Sequence, residues 1–190
     1  TALSSRKLEG KGIGNSADIK AFVPNLYVEH NYSNPSTPQI FMRGIGQANS
    51  VFSFDSPVGF YVDDVYYARQ TGSLVELFDI DRIEVLRGPQ GTIYGRNSSI
   101  GAIRVVTQKP PLDHMDLKAD ITYGTKNQVN SRLDVGVPII DDKLGFRFAF
   151  ITKNNDGFQT NLVNGEKADS DDLKAGRAQL YYKASGNFSA

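Results

Sequence analysis

The sequence predicts two kinds of structure in succession, a small mixed α+β domain with short helices and then a series of antiparallel β-strands. Up to Thr107, short apolar runs are separated by Asn, Ser, Pro and Gly, which is typical of short strands and turns. The segment Lys109-Pro110-Pro111-Leu112 forms a stiff hinge at which this pattern changes. After it, apolar and polar residues alternate with a period of two, as in amphipathic strands. We place the domain boundary between residues 110 and 111.

The bulk composition excludes several classes of protein. The 190 residues carry 21 basic and 21 acidic side chains, so no net charge favours nucleic acid as a partner. Because the chain has no cysteine, disulfides, thiolate catalysis and cysteine metal sites are excluded. No run approaches the ~18 apolar residues of a membrane helix, whereas barrel strands need only about 10 alternating residues and are compatible with the sequence.

The first part of the chain favours short helices followed by short strands. Ser4 or Ser5 can cap a first helical turn, and Ser16 can cap a second one over residues 17–22. The sequence SLVELF at residues 73–78 predicts one or two further helical turns. The predicted strands of this domain are 39–43, 58–65, 82–87 and 102–107.

The segment from Asp81 to Asn97, DRIEVLRGPQGTIYGRN, predicts a strand, a tight turn and a charged exit. Pro89 lies between two glycines, has a fixed φ and cannot donate to a sheet. The chain is therefore expected to reverse its direction here. The charged residues of the segment, among them Glu84, Arg87 and Arg96, indicate either a docking surface or an ordinary solvated turn.

Four alternating segments predict a meander of strands after the hinge, at residues 115–123, 129–137, 144–150 and, more weakly, 178–182. The connections at 124–128 and 138–143 are short and the one at 153–172 is long and polar, which partly fits the loop lengths of outer-membrane barrels. The alternation does not determine which face points inward, because a soluble sandwich and a membrane barrel share it.

Several separate motifs occur in a fixed order along the first part of the chain. They are VPNL at residues 23–26, IFMRGIG at 40–46, VGFYVD at 58–63, the Asp81 to Asn97 segment, and GAIRVVTQKP at 101–110. In order and spacing these motifs resemble the plug domain of TonB-dependent outer-membrane receptors over roughly the first 110 residues. Only one glycine, Gly101, precedes Ala-Ile where the family usually has two small residues.

The resemblance implies an α+β plug domain at residues 1–110 and the first three or four strands of a transmembrane β-barrel at residues 111–190. A barrel of this family has about 22 strands, so we expect the chain to be part of a truncated receptor. The implied location is the outer membrane of a Gram-negative bacterium, in contact with lipid, with the plug inside the barrel lumen.

The function implied by the resemblance is the active import of a scarce ligand, usually a ferric siderophore and sometimes cobalamin or a glycan. Iron would be present only in the transported chelate, with no cofactor and no catalysis. The inner-membrane TonB protein would displace the plug by pulling on a short N-terminal box. The sequence offers no match to that box, which we expect upstream of Thr1.

By the same resemblance, plug arginines at strand ends pair with carboxylates of the barrel wall and lock the plug in the lumen. Arg43 and Arg87, each directly before a glycine, match this role, and Arg96 is a third candidate. The loops at 29–38, 47–56 and 66–72 are rich in groups that suit polar organic ligands. The candidates for ligand contact in these apical loops are Tyr32, Asn34, Gln47, Asn49, Phe52, Tyr67, Arg69 and Gln70.

A soluble β-rich carbohydrate- or peptide-binding domain is the main alternative at this point. Such a domain would bury Leu117, Leu133, Phe146 and Phe148 in a dry core, whereas the receptor would direct them to lipid.

A hydrolase is the second alternative, and it would need two carboxylates about 5 to 10 Å apart. Asp63-Asp64 and Asp79-Ile80-Asp81 are the closest groupings. Calcium binding would also use such residues, but solvated strand ends explain the groupings better. His30 and His114 have no neighbouring ligand pattern, so we expect no metal site.

Overall fold

The structure, a computed structural model, describes the chain except for residues 12, 14, 32–33, 48–55, 68–76, 158, 161–166, 169, 186–187 and 190. The chain divides into two compact units, Thr1–Gln108 and Lys109–Ala190. No helix in the described part of the chain is long and apolar enough to cross a membrane.

The first unit contains short helices and two small sheets. The helices are α1 (Ser5–Gly10), a 3₁₀ turn (Asp18–Ala21) and α2 (Gly91–Tyr94). The strands are β1 (Ala2–Ser4), β2 (Leu26–Asn31), β3 (Asn34–Met42), β4 (Ile45–Gly46), β5 (Val58–Val62), β6 (Val65–Tyr66), β7 (Ile80–Arg87) and β8 (Gly101–Thr107). One sheet has the order β1-β7-β8-β5-β6, in which the β5–β8 pair is parallel and the other pairs are antiparallel. The other sheet is antiparallel with the order β2-β3-β4.

The five-stranded sheet has one apolar and one polar face because its strands alternate. Ile83 and Val85 of β7 pair with Val105 and Ile103 of β8, and all four side chains are at most 1% exposed. Full burial of a side chain of this size contributes about 1.5–3 kcal/mol, so this face contributes strongly to the stability of the unit. The intervening residues form the other face of the sheet, which carries the polar contacts described below.

The predicted elements of the first unit are confirmed in outline, with three differences in the elements that follow. The 3₁₀ turn has Ala17 and not the predicted Ser16 at its N-cap position, and the Asn15 Oδ1 accepts from the amides of Ala17 and Asp18 at 2.8 and 3.2 Å just before it. Strand β2 was not predicted, and β2 and β3 extend into the predicted loop at 29–38. The predicted strand at 58–65 is divided by a turn into β5 and β6. Most of the predicted helical turn at 73–78 lies outside the described residues.

The second unit is an antiparallel meander, as its alternation predicted. Its strands are β9 (Asp116–Tyr123), β10 (Val129–Ile140), β11 (Leu144–Asn155), β12 (Gln159–Thr160), β13 (Lys167–Ala168), β14 (Asp171–Ser185) and β15 (Phe188–Ser189). The main sheet has the order β15-β14-β11-β10-β9. Strands β12 and β13 form a separate hairpin within the long predicted connection.

The strand register aligns the apolar residues of the four long strands on one face. Leu117, Val135, Phe148 and Ala178 occupy one row across β9, β10, β11 and β14. This apolar face is exposed, with Leu117 58%, Leu133 38%, Phe148 37% and Leu180 63% accessible. The soluble alternative is therefore wrong in its specific expectation, because Leu117 and its neighbours form no dry core.

The opposite face of the meander is polar and carries buried charges. Asp134 is 1% exposed and Arg147 is 2% exposed. Arg147 donates to Asp116 at 2.9 Å, and Arg132 donates through Nε to Asp134 at 2.6 Å. Buried charges need such partners because desolvation is costly. The unit therefore exposes its apolar face and buries part of its charged face, the reverse of a water-soluble sheet.

Candidate functional site

The first predicted lock residue, Arg43, lies at the tip of a two-residue hairpin turn. Met42 of β3 pairs with Ile45 of β4, and the intervening Arg43 and Gly44 have φ of 54° and 79°. Two positive φ values are characteristic of the type I′ turns that suit the twist of a hairpin. The Arg43 amide donates to the Asn25 oxygen at 2.8 Å, and its side chain is exposed. The predicted strand thus ends one residue earlier, at Met42.

An open pocket lies beside this hairpin. It has a volume of about 470 Å³ and is lined by Asn25, Leu26, Tyr27, Phe41 and Gly44. The rings of Tyr27 and Phe41 meet edge to face with their centroids 6.1 Å apart. The pocket lining is mainly apolar, so it suits an apolar group.

The second and third lock candidates, Arg87 and Arg96, flank the connection between β7 and β8. Both are exposed. The chain reverses here as predicted, because β7 and β8 are antiparallel neighbours. The connection is not a simple tight turn, however, since it contains the helix α2. Gly88 has a φ of 102°, which favours glycine, and its amide donates to the Ile100 oxygen at 2.8 Å.

A cluster of three tyrosines, which the sequence analysis missed, holds this connection against β5 and β6. Tyr61, 4% exposed, donates through its hydroxyl to the Tyr94 oxygen at 2.8 Å. Its ring centroid lies 5.0 Å from that of Tyr94 and 5.3 Å from that of Tyr66. Asn97 donates to the Tyr66 hydroxyl at 2.7 Å. Burial, followed by the two neighbouring phenols, raises the pKa of Tyr61. The closely spaced aromatic residues of FYVDDVYY were the sequence feature from which this cluster could have been predicted.

The adjacent carboxylates Asp63 and Asp64 form the turn between β5 and β6, with φ of 46° and 66°. Asp63 accepts from the amide of Thr107 at 2.8 Å and from its hydroxyl at 2.7 Å. Asp64 forms a bidentate pair with Arg104 at 2.7 and 2.9 Å. Both carboxylates are exposed at the end of β5, as the interpretation of solvated strand ends expected, but they also make defined contacts. The two carboxylates connect the turn to β8 through these contacts.

Arg104 continues into a chain of alternating charges across β8 and β7. It donates to Glu84 at 3.1 Å, Glu84 accepts from Arg82 at 2.7 Å, and Arg82 donates to Asp81 at 2.6 Å. The hydrogen bond from Arg82, with a smaller one from Arg104, lowers the pKa of Glu84. The hydrogen bond from Arg104 lowers the pKa of Asp64. Opposite charges at these distances favour the ionised forms. Asp79 differs from these surface charges because it is buried, with only 1% of its surface exposed.

Only some of the residues predicted to contact the ligand lie in the described part of the chain. Tyr32, Asn49, Phe52, Arg69 and Gln70 lie outside the described residues. Of the remaining candidates, Asn34 begins β3, and Gln47 follows β4 directly and is half-buried.

Tyr67, the last of these candidates, is 40% exposed. It packs edge to face on Phe60 with a centroid distance of 6.1 Å, and its amide donates to the Phe60 oxygen at 2.9 Å. A role of these residues in ligand binding stays a prediction.

Comparison with known proteins supports the family inferred from the motifs. Residues 1–102 match the model of the TonB-dependent receptor plug domain. The chain is 30% identical over 183 residues to the pesticin receptor of Yersinia pestis, which covers 95% of this chain and 25% of that receptor. It is 29% identical over 145 residues to the catecholate siderophore receptor Fiu of Escherichia coli K12, which covers 74% of this chain and 17% of Fiu.

A solved structure extends the similarity to the fold. The crystal structure of the ferric yersiniabactin uptake receptor FyuA from Yersinia pestis matches with a TM-score of 0.82 and 28% identity. The match covers 96% of this chain and 28% of FyuA. This chain spans about a quarter of the length of the pesticin receptor. The matches confirm the plug-and-strand architecture and the location in the cell outer membrane. The chain therefore belongs to the family of TonB-dependent receptor plug domains.

Proposed function

We propose that the chain is the plug and first barrel strands of an outer-membrane receptor that binds a ferric siderophore and imports it when TonB displaces the plug. The observation that carries this proposal is the inverted polarity of the second unit. Its apolar face is exposed across four strands while Asp134 and Arg147 are buried on the other face. Lipid stabilises an exposed apolar strand face, whereas water does not.

The similar proteins support a ferric siderophore as the ligand class. The relatives include a pesticin receptor and a catecholate siderophore receptor, and FyuA is an uptake receptor for ferric yersiniabactin. In this proposal iron belongs to the transported chelate and is not a resident cofactor. The protein is a transporter and not an enzyme, and the engagement of Asp63 and Asp64 in structural contacts supports this view.

Within this function, Arg43, Arg87 and Arg96 are proposed to lock the plug. All three are exposed, and Arg43 and Arg87 lie at or beside strand ends, where a carboxylate from the rest of the receptor can reach them. A charge that faces a confined lumen needs such a partner because desolvation is costly. The apical loops, including Gln47 and Tyr67, are proposed to contact the chelate.

A growth assay tests the function directly. The complete receptor gene is expressed in a strain that lacks its own siderophore receptors, and growth under iron limitation is measured with single ferric chelates. We expect growth with at least one catecholate, phenolate or hydroxamate chelate when TonB is present and none when TonB is deleted. Growth that depends on the receptor for cobalamin or a glycan, and for no iron chelate, would contradict the proposed ligand class.

A further inference from the structure

The segment Lys109-Pro110-Pro111-Leu112, which we call the proline strap, is seated on the polar face of the strand unit. It crosses this face where β10 and β11 carry glycine. A Cβ on Gly136 would lie 2.7 Å from Cδ of Pro111, and a Cβ on Gly145 would lie 2.3 Å from the Pro111 oxygen. Real Cβ atoms do not approach this closely, so the two glycines form a cradle that fits the strap.

Two further contacts hold the strap at its ends. The Leu112 oxygen accepts from the amide of Asp142 at 3.0 Å. The ammonium of Lys109 lies 5.5 Å from the ring centroid of Tyr181, within cation–π range. Tyr181 pairs with Gly145 in the strand register, so the Lys109 contact is made on the face that carries the cradle, and the Leu112 contact is made in the turn between β10 and β11. The strap, which the sequence predicted to be a stiff hinge, is therefore anchored along its whole length to the strand unit.

The residue before the strap is anchored in the first unit. The Gln108 amide donates to the Asp79 oxygen at 3.0 Å, and its side chain donates to the Ile80 oxygen at 3.3 Å. The chain thus passes from contacts of one unit to contacts of the other across a single peptide bond.

We propose that the proline strap is a clamp that stays closed on the strand unit when the first unit opens, so that any displacement of the plug ends at Lys109. The transport consequence rests on the proposed function, but the clamp itself does not. Prolines suit this role because their fixed φ lowers the conformational freedom that the strap would gain on release. The glycines suit it because they allow backbone contact without a side chain between the two segments.

Hydrogen exchange of the full-length receptor in increasing urea tests the clamp without reference to transport. The reporter is the amide of Asp142, whose acceptor is the strap oxygen of Leu112. We expect the amides of Ile83 and Val105 to exchange by sub-global opening at urea concentrations at which the Asp142 amide is still protected. Loss of protection at Asp142 in the same step as Ile83 would overturn the proposal.

Variants of the cradle sharpen the test. Gly145→Ala should unseat the strap and accelerate Asp142 exchange about tenfold, the equivalent of one hydrogen bond. The matched control is Gly176→Ala on the apolar face, where a Cβ meets Phe150 at an ordinary 3.5 Å and no acceleration is expected.

A milder change covers the case in which Gly145→Ala disturbs the whole sheet. Pro111→Ala creates no clash and removes Cγ and Cδ, which face Gly136; because Pro111 is half-buried, their loss is equivalent to about one buried methylene and Asp142 exchange should rise about fourfold. If Pro111→Ala leaves Asp142 exchange unchanged, the strap is not clamped and the proposal fails.

Discussion

Replacement of Asp63 is expected to open the plug sheet locally, because this one side chain supports both a turn and a neighbouring strand. Its carboxylate accepts from the amide and the hydroxyl of Thr107, at 2.8 and 2.7 Å. Thr107 is only 3% exposed, so its amide would lose a partner in a site that water reaches poorly. Asp63 also has a φ of 46°, which aspartate tolerates better than alanine.

The expected cost of Asp63→Ala follows from these contacts. We assign about 1 kcal/mol to each of the two hydrogen bonds. This value is low for bonds to a charged acceptor, because Asp63 is exposed and water screens its charge. Alanine at a left-handed φ costs a further ~1 kcal/mol. The total of about 3 kcal/mol corresponds to a roughly 100-fold increase in local opening. Asp63→Asn keeps a neutral acceptor and tolerates the positive φ, so its cost should be only about 1 kcal/mol.

Amide hydrogen exchange of the full-length receptor measures this effect at β5 and β8. We expect the Thr107 amide to exchange roughly 100-fold faster in Asp63→Ala and about fivefold faster in Asp63→Asn. Exchange in the strand unit serves as the internal reference and should not change. Equal exchange in wild type and Asp63→Ala, or equal acceleration in both variants, would refute the assigned role of the carboxylate.

Three further predictions concern charge, packing and the lock. Because the pKa of Glu84 is lowered in the folded plug, its contribution to plug stability is complete above about pH 4.5 and is lost as the pH falls below that value. Glu84→Gln should therefore flatten the decline of the plug melting temperature in acid. Gly101→Ala should destabilise the plug by about 1–3 kcal/mol in denaturant titrations, because its Cβ would lie 2.4 Å from Sδ of the buried Met42; an unchanged midpoint would contradict this packing. The double change Arg43→Ala and Arg87→Ala should weaken plug protection from hydrogen exchange in the full-length receptor, and unchanged protection would count against the lock.

Much of the fold was predictable because its determinants are local. Alternation of apolar and polar residues has the period of a strand wherever it occurs, so the four segments of the meander were identified from the sequence. The chain reversal within the Asp81 to Asn97 segment was also predictable, since proline fixes φ and glycine permits the positive φ that the reversal uses. The order of the motifs identified the family, which the comparisons confirm.

The structure differs from the sequence predictions where residues that are distant in the sequence decide the local structure. Helix α2 has four residues and no side-chain cap, so it leaves no periodic signal in the sequence. The tyrosine cluster joins residues up to 33 positions apart, and Asp63 meets Thr107 across 44 positions. Their chemistry was visible in the sequence as aromatic and acidic pairs, but their partners were not. For this reason the sequence indicated that Asp63 and Asp64 are exposed strand ends but not that they bind to β8.

The sequence alone established that the second half of the chain is made of two-faced strands, because the period of two is a property of the extended backbone. It could not establish which face is outside, since the pattern of Leu117 and Lys118 is the same in a soluble sandwich and in a membrane strand. The tertiary structure decided this point by exposing Leu117 and burying Arg147, with its charge satisfied by Asp116. It also decided that the two prolines are clamped, because a cradle of glycines exists only once β10 and β11 are paired.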